Sequence, residues 1–237
     1  MSTALIILTL NEIDGVKQIL PKIDQTLLDE IIVVDGGSTD GTIEFVKKIG
    51  FKVIIQSIKG HGGAILTGVK NTKSDNILIF GPDGNHDINE IPQLIKKINE
   101  GYDQVVISRF GEGSINLDAG KIDAFGNKMF TFFANLFFNG NLTDTLNESR
   151  IITRDAFNEL NFDAMQLDST YQMSIRGLKK KQKYYEIVGN EGARIGGKRK
   201  MRPIHTGCLL LKRVIKEVLT KENNVSTTSK KNSLRPL

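Results

Sequence analysis

The stretch Gly81-Pro82-Asp83-Gly84-Asn85 sets a carboxylate and a carboxamide two residues apart, just after the apolar run Asn76–Phe80. Hard divalent cations such as Mg2+ or Mn2+ prefer oxygen ligands, so Asp83, with Asn85 beside it, is a candidate metal site. The same residues also spell a tight turn. Two more acidic residues follow apolar runs in the same manner: Asp35 after Glu30–Val34 and Glu12 after Ala4–Leu10. A carboxylate so placed can accept hydrogen bonds from a nucleobase or a ribose, or it can cap the next helix. Arg109 closes the run Gln104–Ser108, and Arg194 and Lys198 lie in the basic, glycine-rich segment Gly192–Arg202. Such cations can stabilise charge developing on phosphate oxygens or form ion pairs at the surface. His86, beside the Asp83 turn, reads as a supporting or surface residue rather than a ligand.

These residues act together only if the chain brings them to one place. Ala4–Leu10, Glu30–Val34, Lys52–Gln56, Asn76–Phe80, Gln104–Ser108 and Tyr184–Val188 read as strands. Between them, Asp14–Ile23, Thr42–Ile49 (with N-caps offered by Ser38 to Asp40), the segment that follows the glycine-rich loop Gly60–Gly63 through Lys70, and Ile91–Asn99 read as helices. This alternation predicts an α/β fold with a mostly parallel sheet and helices on both faces. Ligands of such sheets bind beyond the carboxyl ends of the strands, and the loops at Asp35, Asp83 and Arg109 all fall there. Past Arg109 the texture changes. Gly111–Gly120 reads as a mobile loop, Ala124–Asn139 concentrates six of the twelve Phe residues, and a helical stretch runs to Leu178. Thr206–Thr220 sets Leu209, Leu210, Val214 and Val218 against Lys212, Arg213 and Lys216, an amphipathic pattern. The chain thus divides into an α/β domain over 1–204, a helix over 205–222 and a disordered basic tail over 223–237.

The 237 residues, 39% of them hydrophobic, suit one large α/β domain. A single cysteine, Cys208, excludes an internal disulfide and a cysteine-built metal site, and points to a reducing, cytoplasmic setting. No apolar run approaches the roughly 18–20 residues of a membrane span, so the expectation is a soluble or peripheral protein. Charge is uneven. Residues 1–175 hold 15 Lys/Arg against 23 Asp/Glu, whereas residues 176–202 hold 10 against 2. That basic segment could meet nucleic acid, anionic lipid, a phosphorylated substrate or only solvent. Nucleic acid is disfavoured, because the aromatics cluster away from the Lys/Arg run whereas single-strand binders interleave them.

Four stretches together resemble the family 2 glycosyltransferases of the GT-A fold, and most closely the dolichol-phosphate mannosyltransferase-like branch. They are Thr9-Leu10-Asn11-Glu12, Val33-Val34-Asp35-Gly36-Gly37-Ser38-Thr39-Asp40-Gly41-Thr42, Lys59-Gly60-His61-Gly62-Gly63-Ala64, and Thr143-Asp144-Thr145-Leu146-Asn147 ahead of Arg150 and Arg154. The resemblance spans about Ala4 to Arg202. It implies a nucleotide-sugar donor held by Thr9, Asn11, Glu12, Asp35, Lys59 and Asp83, with a divalent metal, Mg2+ or Mn2+, on Asp83 and Asn85. It implies Arg109, Arg154, Arg194 and Lys198 for the acceptor phosphate, and a catalytic set of Asp83, Arg109 and Asp144, the last ordering the acceptor loop. The family pattern at the metal loop is Asp-x-Asp; here Gly81 stands at the first position.

The acceptor is argued from an absence. A sugar hydroxyl needs a general base, and Glu148 and Asp155 near Asp144 form no obvious pair of carboxylates. The chain has no Trp, so the Gln-x-x-Arg-Trp motif of polymerising members is missing. A phosphate monoester, with a second pKa of about 6, is already anionic at neutral pH. The expected activity is therefore an inverting transfer to a polyprenyl (dolichyl) phosphate at the cytoplasmic membrane face, inversion being what the resemblance implies. The Phe-rich stretch would meet the lipid or a membrane interface, ordinary core packing being the alternative. The rivals are transfer to a glycan hydroxyl, with a base among Asp144, Glu148 and Asp155, and a non-catalytic nucleotide-sugar-binding relative.

Overall fold

A computed structural model describes residues 1–118, 120–197 and 199–220. Lys198 and the tail from 221 onward, and the expectations attached to them, lie outside the described residues.

Seven strands form one sheet: β1 (Thr3–Thr9), β2 (Glu30–Asp35), β3 (Lys52–Ile55), β4 (Asn76–Phe80), β5 (Gln104–Ser108), β6 (Arg150–Thr153) and β7 (Tyr184–Val188). Their order across the sheet is β3-β2-β1-β4-β6-β5-β7. All neighbours run parallel except β6, which is antiparallel to both β4 and β5. The central strands are buried on both faces, which explains why they read as unbroken apolar runs rather than alternating patterns. One face packs Leu5, Val33, Leu78 and Val105 against α1 (Ile13–Ile19), α2 (Thr42–Lys48) and α4 (Ile91–Ile98). The other packs Ile6, Ile32, Ile77 and Ile152 against α3 (His61–Lys70), α6 (Arg154–Glu159) and α7 (Ser169–Lys179). The expected α/β fold, a mostly parallel sheet covered on both faces, is the fold found.

Strand β6 is the element the sequence did not reveal. It has four residues with only Ile151 and Ile152 as an apolar run, too short for a periodicity to register. Its reversed direction decides the site. The start of β6 lies at the edge where the parallel strands end, and its finish lies at the opposite edge, with Thr153 beside Asn76 at the start of β4.

The Phe-rich segment is a helix, α5 (Lys121–Phe138), ending at Asn139 in the left-handed region that Asn tolerates at a helix terminus. It packs with α7 and α8 (Pro203–Leu219) around Phe130, Ala134, Tyr171, Ile175, Leu210 and Val214. The helix expected over 205–222 thus starts at Pro203 and shares a core with α5 and α7 rather than standing apart. Phe130, at 4% exposure, belongs to that core, whereas Phe125 at 69%, Phe132 at 58% and Phe137 at 51% face outward. The helical stretch read up to Leu178 consists of two helices, α6 and α7, separated by a loop that hydrogen-bonds to Gln172 through the Asp163 and Ala164 amides. The cap of α2 also differs in detail. Gly41 is the N-cap in the left-handed region, while Asp40 reaches past it to accept from the Thr42 amide and hydroxyl.

Candidate active site

Where the parallel strands end, their loops and the start of β6 enclose a cleft of about 740 Å3. Two glycines let the walls close. A Cβ on Gly15 of α1 would strike the Pro82 carbonyl oxygen, so this glycine seats the Asp83 loop directly on the helix. A Cβ on Gly62 would strike the Ala164 carbonyl, which fixes the start of α3 against the loop before α7.

The β2 loop is organised by Asp35. Its carboxylate is fully buried and accepts from the Thr9 hydroxyl (2.8 Å), the Gly37 and Ser38 amides (2.8 and 2.6 Å) and the Ser38 hydroxyl (2.6 Å). Asn11, in the left-handed region at φ 52°, ties the β1 loop to it by accepting from the Thr39 amide and donating its own amide to Ser38. Thr9, Asn11 and Asp35 are thus joined in one hydrogen-bond network in which Asp35 shapes the loop, and of the three only Thr9 lines the cleft. Thr9 and Glu12 line the cleft. Lys59 is exposed in the loop before α3, next to Gly60 on the cleft wall.

Asp83 and Glu12 face the cleft from adjacent strand ends, and one side chain joins them. The Arg194 guanidinium donates to Asp83 Oδ2 at 2.7 Å and to Glu12 Oε1 at 2.6 Å. Lys200 also pairs with Glu12. The segment Gly192–Arg202 is thus folded over the carboxylates, helped by a hydrogen bond from the Ile195 amide to the Asp83 carbonyl at 2.6 Å. Glu191, just before it, pairs with the Arg109 guanidinium at 2.9 Å.

Arg109 and Asp144 form a buried bidentate pair, at 2.7 and 3.2 Å. Burial alone would lower the arginine pKa, but Asp144 and Glu191 outweigh it and raise it, so the side chain is always charged. Burial alone would likewise raise Asp144, yet the Arg109 charge, the Asn127 amide and the Leu146 amide hold it below the usual carboxylate range. Asp144 has no exposed side-chain surface. It holds Arg109, α5 and its own loop together, and only Arg109 of the pair lines the cleft.

Arg154 requires a correction. Because β6 runs backwards, Arg154 sits at the opposite edge of the sheet, bonded to the Ser74 carbonyl at 2.7 Å, and it does not reach the cleft. Sequence order placed it just beyond the Asp144 loop, and the missed antiparallel strand carried it away. Asp155 is exposed at the same far edge, on α6. The same reversal delivers a residue that sequence reasoning weighed only as one candidate base of the rival reading. Glu148, just before β6, lines the cleft beside Gly81 and pairs with His61 of α3 at 2.6 Å, and His61 in turn bonds to Ser169 at 2.6 Å. The one signal available was its proximity to Asp144.

Metal fit rests on the oxygens. Among the described residues no three His, Cys, Asp or Glu side chains form a ready cage. Asn85 Oδ1, Glu12 Oε2 and Glu148 Oε1 are nevertheless buried without hydrogen-bond partners along the same cleft. A small hard cation that keeps some waters and takes phosphate oxygens needs only one or two protein donors, so this donor set fits such an ion brought by its ligand.

The cleft continues away from the strand ends as an apolar passage between α5 and α8, lined by Ile122, Phe125, Met129, Phe130, Ile204 and Leu210. Its rim is exposed, with Ile122 at 74% and Ile204 at 85%. No helix among the described residues is long and apolar enough to cross a membrane.

Comparison with known proteins agrees with this architecture. Solved structures of glucosyl-3-phosphoglycerate synthase from Mycobacterium tuberculosis share the fold. The complex with Mn2+, UDP and phosphoglyceric acid superposes with a TM-score of 0.74 at 18% identity, covering 94% of this chain and 80% of that one. Among sequence relatives, glycosyltransferase AglJ of Haloferax volcanii is 24% identical over 72% of this chain and 58% of its own length. Dolichol-phosphate mannosyltransferase of Pyrococcus furiosus is 31% identical over 48% of this chain and 34% of its own length. Dolichyl-phosphate hexose transferase of Haloferax volcanii is 27% identical over 66% of this chain and 68% of its own. The chain thus spans only part of the first two of these relatives. The sequence model of glycosyl transferase family 2 matches residues 4–161, two thirds of the chain, and the chain belongs to that family.

Proposed function

We propose that the chain transfers a sugar, with inversion, from a nucleotide-diphosphate sugar to a polyprenyl phosphate at a membrane surface. The observation that carries this reading is a single cleft with two characters. At the strand ends it is lined by carboxylates and guanidinium groups; between α5 and α8 it is apolar and opens on a rim of exposed Ile and Phe. A polar donor and an acceptor with a phosphate head and an isoprenoid tail match those two parts. The names of the dolichyl-phosphate relatives support the acceptor, and the UDP and Mn2+ or Mg2+ bound by structural neighbours, one of which also holds phosphoglyceric acid, support the donor and the metal.

In this reading the Asp35 loop, with Thr9, Asn11 and Glu12, shapes the nucleotide subsite, and Lys59 stands at its mouth. Asp83 and Asn85 hold the divalent metal, which supplies charge neutralisation on the leaving diphosphate. Arg194 and Lys200 exchange their carboxylate partners for phosphate oxygens when donor and acceptor enter. Arg109, held in place by Asp144 and Glu191, presents a fixed positive charge to the phosphates. The acceptor phosphate is already anionic, so the attack on the anomeric carbon needs no proton removed.

The passage between α5 and α8 gives the test. Phe125→Ser with Ile204→Ser should raise KM for a long polyprenyl phosphate more than for a two-isoprene acceptor, because a longer tail covers more of the apolar rim. Equal effects on both acceptors would remove the lipid passage from the account. Transfer to a hydroxyl is kept as a second reading for one observation: of Asp144, Glu148 and Asp155, Glu148 alone lines the cleft.

A further inference from the structure

The family pattern leads one to expect a carboxylate at position 81, and the chain has glycine there. The space where that side chain would project is not empty. A Cβ built on Gly81 would lie 3.1 Å from Glu148 Oε1 and 3.8 Å from the His86 ring. The carboxylate of Glu148, arriving from the start of the reversed strand β6, therefore stands about where an aspartate at 81 would put its own. We propose that Glu148 replaces the missing carboxylate, offering Oε1 beside Asp83 to the divalent cation that accompanies the nucleotide diphosphate; this rests on reading the cleft as the donor site.

Two observations support that role. Oε1 is buried and has no hydrogen-bond partner, while Oε2 is fixed by His61 at 2.6 Å. His61 is itself held by Ser169 on α7 at 2.6 Å, so the carboxylate is oriented by a relay of two side chains. An unsatisfied buried oxygen is costly unless a ligand completes it.

The test is Mn2+ binding, read by electron paramagnetic resonance on the full chain in the presence of UDP and, separately, GDP. Glu148→Gln keeps the shape and an acceptor for His61. It should weaken Mn2+ binding about tenfold or more, the scale seen when groups around a metal are altered. Gly81→Asp alone should not tighten binding, since the new carboxylate would crowd Glu148. Placed on the Glu148→Gln background it should restore binding, a rescue that a purely structural role for Glu148 would not give. Should Glu148→Gln fail to fold, Glu148→Asp serves, because it withdraws the charge by one methylene and should also weaken Mn2+. Unchanged Mn2+ affinity in the Glu148 variants, with binding lost in Asp83→Ala, would overturn the proposal and leave the donor site standing. The same pattern with the acidic limb of the pH–rate profile abolished would make Glu148 a base instead. No binding of Mn2+ with either nucleotide by the unaltered chain would overturn both readings.

Discussion

Replacing Asp144 by Asn separates a positioning role from a chemical one, and its cost can be worked from the geometry. The substitution neutralises one partner of the buried Arg109 pair, bonded at 2.7 and 3.2 Å, while Arg109 keeps its 2.9 Å contact to Glu191. Leaving a buried charge without its partner costs roughly 3–5 kcal/mol. The surviving Glu191 contact, and the amide oxygen that can still accept from Asn127, place the expected loss near the lower end, about 3 kcal/mol. For a domain of this size each kcal/mol moves Tm by about 2–4 °C, so the melting point should fall by about 6–12 °C. The pH dependence gives an independent reading. The Asp144 pKa is lowered in the folded state, so its contribution is present above the unfolded value of about 3.9 and is lost as the pH falls through the folded pKa. Asp144→Asn should therefore flatten the acid limb of the stability profile. Calorimetry of the variant across pH measures both effects. A Tm shift below about 2 °C, or an unchanged acid limb, would refute the claim that this pair holds the loop.

Arg109→Ala should lower turnover sharply, whereas Asp144→Asn should lower it less, because Arg109 then keeps its charge and its Glu191 contact; a kcat comparison of the two variants would check this. Arg154→Ala should leave turnover unchanged, because the residue lies at the far edge of the sheet. Arg194→Ala should strengthen Mn2+ binding without nucleotide, since Asp83 is released while Glu12 keeps only Lys200, and weaken nucleotide-diphosphate binding; titration calorimetry distinguishes the two arms. Burial raises the Glu90 carboxyl to about 7, so its contribution is present below the unfolded pKa and lost as pH rises through that value. Glu90→Gln should accordingly lose less stability than the parent between pH 5 and about 8, measured by urea unfolding.

How far the sequence could be read depended on how locally each feature is encoded. Strands buried on both faces announce themselves as apolar runs, so the ends of β1, β2, β4 and β5, and with them Glu12, Asp35, Asp83 and Arg109, were legible directly. Strand β6 was not, because four residues squeezed between two partners need no periodicity of their own. That one reversal moved Arg154 out of the site and Glu148 into it. Partnering was also invisible. Arg194 could be seen as a cation in a basic loop, but its bridge between Glu12 and Asp83 spans more than a hundred residues and exists only in the fold. The Phe-rich stretch divided in a way that composition could not anticipate, Phe130 going to the core and Phe125 to the rim.

The central claim is that the acceptor arrives with its charge already formed and its tail lodged between α5 and α8. It is tested most directly by offering the enzyme a nucleotide-sugar, Mn2+ and either a polyprenyl phosphate or the corresponding polyprenol, matched in chain length, and measuring transferred sugar. The account predicts product from the phosphate and none above background from the alcohol. Transfer to the alcohol at a comparable rate, or to neither lipid while a soluble phosphorylated acid accepts the sugar, would contradict it.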